Sequence, residues 1–130
     1  MFCGGLLCIA MQGFPQRIPQ QAQDFANAKS DMSFINELTT EDIRAGNLIR
    51  LGATDPTIRP TVLVWGDSHA MAALPAIDAF LKEEGVAGRA ATHSSTAPVL
   101  NWFMPTKFGL NKDSIAFNDA VFAYIQSQRI

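Results

Sequence analysis

Residues 61–85, "TVLVWGDSHAMAALPAIDAFLKEEG", constrain this chain more than any other stretch. Thr61 to Trp65 form a continuous apolar run bounded by turn signals, the pattern of a strand buried on both faces. Such a strand needs a covering layer on each side, so it belongs in a parallel sheet flanked by helices. The run stops at Gly66-Asp67-Ser68-His69, where a core would take another valine, and a helical pattern follows. Pro75 suits the first position of the longer helix, because its missing N–H costs nothing there. Ile77, Phe80 and Leu81 recur at helical spacing, and Gly85 ends the run.

The rest of the chain extends this pattern. "VAGRAATHS" is a second strand candidate, weakened by its alanines, and "STAPVLNWFMPTKFGLNK" is a long loop with two prolines. "DSIAFNDAVFAYIQSQ" reads as a helix capped by Asp113 or Asn111, with Phe117, Val121, Tyr124 and Ile125 on one face. Strand, helix, strand, helix is the start of an α/β parallel sheet. The last helix should deliver the chain to a third strand, but the sequence stops at Gln128-Arg129-Ile130. The expectation is a domain truncated after its second βα unit, marginally stable, with Val121 and Ile125 lacking a partner. Upstream, "TTEDIRAGNLIRLG" reads as a short helix capped by Thr39 or Thr40 and ended by Gly52, and Pro56 and Pro60 break the chain after it.

A length of 130 residues favours one small domain. Hydrophobic residues make up 48% and charged ones 17%, a globular balance tilted apolar. The net charge is -2 and the basic residues are scattered, so no nucleic-acid partner is implied. Cys3 and Cys8 both lie in the first apolar run, "MFCGGLLCIAM", which gives neither a disulfide framework nor the Cys-x-x-Cys spacing of a metal site. That run, residues 1–11, falls short of the roughly 20 residues a membrane-spanning helix needs. Three readings stay open for it: a buried strand or helix, a signal-like anchor, or the end of a membrane helix whose beginning is missing. Phe14-Pro15-Gln16-Arg17 suits the third, since aromatic and basic residues gather at membrane interfaces. The organisation read from the sequence is therefore an apolar end (1–11), a linker with a short helix (12–60) and an α/β part (61–130).

Ser68 is the residue with chemistry. Ligands of open α/β sheets bind beyond the carboxyl ends of the strands, and a serine placed there has free helix N–H groups beside it. Gly66 permits close backbone approach, and Asp67 can hydrogen-bond the turn around the serine. A serine nucleophile also needs a general base within hydrogen-bond reach, oriented by a carboxylate. The bland reading of Gly-Asp-Ser, a turn followed by a helix cap, competes with this one.

"VLVWGDSHAMAALPAIDAFL" resembles the first block of the SGNH hydrolase superfamily. More narrowly, it is similar to the SGNH domains attached to acyltransferase-three type membrane proteins, which O-acylate bacterial surface polysaccharides. The resemblance implies a partial flavodoxin-like parallel sheet. It makes Ser68 the nucleophile and an oxyanion N–H donor, with Asp67 and Gly66 as turn residues. It also implies an acyl donor, a glycan acceptor and no cofactor. Attachment to the membrane would run through a missing N-terminal region, with the SGNH part outside the cytoplasmic membrane.

The departures are specific. The superfamily's glycine after the second strand is missing from "THSSTAP", and "AFND" at 116–119 falls inside a helical pattern, which rules out Asn118 as the third oxyanion donor. No Asp-x-x-His occurs in the chain. His69 and His93 are the only histidines and stand as secondary candidates for the base. His69 follows the serine directly, so its ring should point elsewhere, and His93 at the end of the second strand suits a loop or core role. A fragment of an O-acyltransferase is the leading expectation. A carbohydrate esterase fragment and a non-catalytic binding remnant are the alternatives. An unrelated phosphate-binding domain lacks the glycine-rich loop it would need.

Overall fold

The computed structural model describes residues 9, 10, 17–20, 22, 23 and 32–130. Two units divide after Met32. In the first, Ile9 and Ala10 are helical, and the Gln23 amide donates to the Ile18 carbonyl at 2.7 Å. The remainder of the apolar 1–11 run, with Cys3 and Cys8, lies outside the described residues.

The second unit is α/β. Its elements in chain order are α1 (Thr40–Arg44), β1 (Ile49–Gly52), β2 (Val62–Gly66), α2 (Ser68–Glu83), β3 (Ala87–Thr92) and α3 (Ser114–Gln128). The strands form one sheet in the order β1-β3-β2. β2 and β3 are parallel, with Val62 opposite Gly88 and Gly66 opposite Thr92. β1 runs antiparallel to β3, with Ile49 opposite Ala90. The parallel pair is the one read from the sequence, but the sheet as a whole is mixed.

Each difference from the sequence reading has a local cause. The helix expected over 39–52 ends at Arg44 because Gly46 takes a left-handed φ of +77°, and the chain then extends into β1. Thr39 is the cap, forming a reciprocal box with Asp42 in which the Asp42 N–H donates to Thr39 Oγ1 at 3.1 Å and the Thr39 N–H donates to Asp42 Oδ2 at 2.9 Å. The helix after Ser68 is continuous to Glu83, so Pro75 lies inside it rather than at its start. There it leaves the Met71 carbonyl without its usual partner.

Helices cover both sheet faces. On one, Leu74 and Leu81 of α2 pack with Leu51 and Ala90, and Val62 and Val64 border them. On the other, Phe117 and Val121 of α3 pack with Ile43, Leu48 and Ala91, beside Leu63 and Trp65. The expectation that Val121 lacks a partner is therefore corrected, since it is wholly buried. Ile125 packs at the border of the same cluster. Their partners Ile43 and Leu48 come from the stretch read as a short helix beyond the linker.

Asp78 of α2 ties the outer strand to the helix, accepting from the Gly52 N–H at 2.8 Å and from Lys82 Nζ at 2.5 Å. The hydrogen bond from Lys82, with a smaller contribution from Gly52, holds its carboxyl below the ordinary 3.8. A carboxyl that titrates lower in the folded state stabilises the fold above its unfolded value and loses that contribution as pH falls through the folded one. Asp78→Ala should therefore cost about 1–2 kcal/mol in urea unfolding at neutral pH. The difference from the parent should shrink below pH 3.8.

Candidate active site

The turn after β2 is built around its serine. Asp67 caps α2, accepting the His69 N–H on Oδ1 at 2.9 Å, and Ser68 is the first helical residue. The Ser68 side chain is exposed, and its hydroxyl has no hydrogen-bond partner among the described residues. By its place in the first turn, the Ser68 N–H has no intrahelical acceptor either. A free hydroxyl beside a free amide, at the positive end of a sixteen-residue helix, suits attack on a carbonyl carbon only where a base takes the hydroxyl proton, with the amide placed to meet an oxyanion.

Gly66 makes the turn possible by its small size. A Cβ placed on it would lie 2.7 Å from the Ala70 Cβ, one turn into the helix. Its carbonyl accepts the His93 N–H at 3.2 Å, which joins the two strand ends.

Neither histidine is hydrogen-bonded to Ser68. His69 has a side chain 94% exposed and folds back on Asp67, with Nδ1 3.3 Å from Oδ1. His93 is half-buried at the end of β3. Its Nδ1 donates to the Leu38 carbonyl at 2.9 Å and its ring tilts against Phe117, with centroids 6.1 Å apart. That donor role leaves Nε2 as the acceptor in the neutral ring. Among the described residues, no group of three His, Cys, Asp or Glu side chains could hold a metal ion.

Sequence reasoning missed the support for this turn. Asn118, fully buried on α3, accepts from Trp65 Nε1 at 3.0 Å. It donates to the carbonyls of Ala97 at 2.9 Å and Val99 at 3.0 Å. Both amide protons are used, so Asn118 is a structural tie between the strand that leads into Ser68 and the loop after β3. The available signal was a lone amide beside Phe117 on the apolar face of a helix.

A family model of SGNH domains fused to AT3 domains matches residues 36–130. The chain belongs to that family. No curated protein and no solved structure matches it. The match starts within the segment before α1, so this SGNH domain includes α1 and β1 as well as the Gly-Asp-Ser-His turn. Among the described residues, no helix of the SGNH chain is long and apolar enough to cross a membrane.

Two variants test the support of Ser68. Gly66→Ala should destabilise the fold by about 1–3 kcal/mol, and Ala70→Gly in the same chain should recover part of it in thermal melts. Asn118→Ala strands the Trp65 indole N–H and two carbonyls, so a loss of about 2 kcal/mol or more in urea unfolding is expected.

Proposed function

We propose that this SGNH domain is a fragment of an O-acyltransferase in which Ser68 carries an acyl group, acetyl by family resemblance, to a hydroxyl of a surface polysaccharide or other glycan. The exposed, unpartnered Ser68 hydroxyl at the start of α2 carries this reading. Ser68 Oγ attacks the acyl carbonyl as its proton passes to a general base, and the Ser68 N–H donates to the oxyanion. Expulsion of the leaving group gives the acyl-enzyme. The base gives its proton to that leaving group; a glycan hydroxyl then attacks the acyl-enzyme, and its proton passes through the base to Ser68 Oγ as the ester bond to the enzyme breaks.

In this reading the base is the histidine of an Asp-x-x-His outside these 130 residues, and the absence of a hydrogen bond from Ser68 to either His69 or His93 supports it. In this reading the chain alone is inactive. Fusion of such domains to AT3 domains supports a membrane-associated protein, and in this reading the SGNH part lies outside the cytoplasmic membrane. The same unassisted serine favours a second reading, a non-catalytic module that binds glycan or a partner.

Sequencing the coding DNA past codon 130 and assaying the encoded protein separates the two readings. The expected result is a frame that continues into an Asp-x-x-His, whose product carries acetyl on Ser68 after incubation with p-nitrophenyl acetate. The 130-residue chain should hydrolyse that ester no faster than its Ser68→Ala variant. A stop codon after Ile130 would sink the transferase reading and leave the binding module.

A further inference from the structure

The loop after β3 is held to the domain by polar ties and by Leu110, and carries large apolar side chains where it faces out. Between residues 33 and 130, half of the exposed large apolar side chains sit on it: Val99 (47% exposed), Trp102 (42%), Met104 (49%) and Phe108 (73%). The loop's frame is tied down. Asn118 holds the Ala97 and Val99 carbonyls, and Asn111 Nδ2 donates to the Thr106 carbonyl at 3.1 Å. Gly109, at φ +71°, sits so close to Ser94 that a Cβ would lie 2.3 Å from its carbonyl oxygen. These ties fix the backbone while the large side chains remain in water, which is unfavourable for a surface with nothing to bury it.

Charge narrows the occupant. Residues 93–112 contain no Asp or Glu and carry Lys107 and Lys112. Aromatic and thioether side chains with Lys107 among them and Lys112 after them, and no acidic residue until Asp113, match the headgroup region of an anionic bilayer: the apolar groups enter the acyl boundary and the ammonium groups meet lipid phosphates. β2 and β3 are parallel, so this loop and Ser68 leave the same edge of the sheet.

We propose that the 97–110 loop is a membrane-contact element that seats the Ser68 edge of the domain on an anionic phospholipid surface through Trp102, Met104 and Phe108. Binding needs no turnover at Ser68, so its loss and the failure of the acyl-transfer reading are separate outcomes.

Co-sedimentation of the 130-residue chain with phosphatidylglycerol vesicles, against phosphatidylcholine vesicles, tests the contact. The chain and its Ser68→Ala variant should bind the anionic vesicles with a blue shift in tryptophan emission. Trp102→Ser with Phe108→Ser should weaken binding by about tenfold or more, with the melting transition retained. Lys107→Gln and Lys112→Gln should each weaken it roughly fivefold, and about 0.5 M salt should remove most of the anionic preference. Absence of binding to phosphatidylglycerol would overturn the proposal, as would equal binding by the Trp102/Phe108 variant. Concentration-dependent dimerisation that this variant abolishes, without vesicle binding, would also overturn it and assign the loop to a second copy of the chain.

Discussion

The parallel pairing of β2 with β3 sets the end of this domain that carries Ser68. With Gly66 opposite Thr92, both strands finish at the same level, and the His93 N–H to Gly66 carbonyl bond extends the ladder one step beyond them. The Gly-Asp-Ser-His turn and the 93–110 segment therefore emerge side by side. Asn118 then links the last side chain of β2, Trp65, to the loop carbonyls. A shift in that register would move the serine, the histidine and the loop together, because each is fixed to the others by backbone or amide hydrogen bonds.

The central strand reconciles low intrinsic strand propensity with tight packing. Ala87, Gly88, Ala90 and Ala91 are poor strand formers. They sit between two helical layers, however, and small side chains let both layers come close. Leu81 of α2 rests where a Cβ on Gly88 would be only 2.9 Å from its Cδ1. On the opposite face, Ala91 meets Phe117 and Val121. The alanines that weakened the strand signal are thus the condition for a sheet covered on both sides.

Much of the fold was legible where periodicity was long or strongly punctuated. The strand at 62–66, the helix running to 83 and the helix over 114–128 all follow from apolar patterning. The antiparallel β1 was not legible, because Ile49 and Leu51 in a four-residue strand fit a helix end as well as an alternating strand. The break at Ala45-Gly46-Asn47 was the available clue. Pro75 misled because a first-turn proline and a tolerated interior proline look alike in sequence. The cover over Val121 was hidden for a different reason: Ile43 and Leu48 approach it only through long-range folding of a stretch that the sequence places outside the α/β part. At the site, the Gly-Asp-Ser-His turn announced itself, whereas the tie made by Asn118 depends on contacts that no local pattern encodes.

The two margins of the sheet are not equivalent. Ala53 donates its N–H inward to Val86, so the neighbouring Gly52 N–H points away from the sheet, where the Asp78 carboxylate takes it. A carboxylate seated on an outward amide blocks a further chain from zipping onto β1, much as natural sheets guard their borders against unwanted pairing. Among the described residues, β2 has no strand on its outer side. The sheet is thus polarised for growth: additional β-structure, whether from the same polypeptide or from another, has its open berth beside the strand that leads into Ser68.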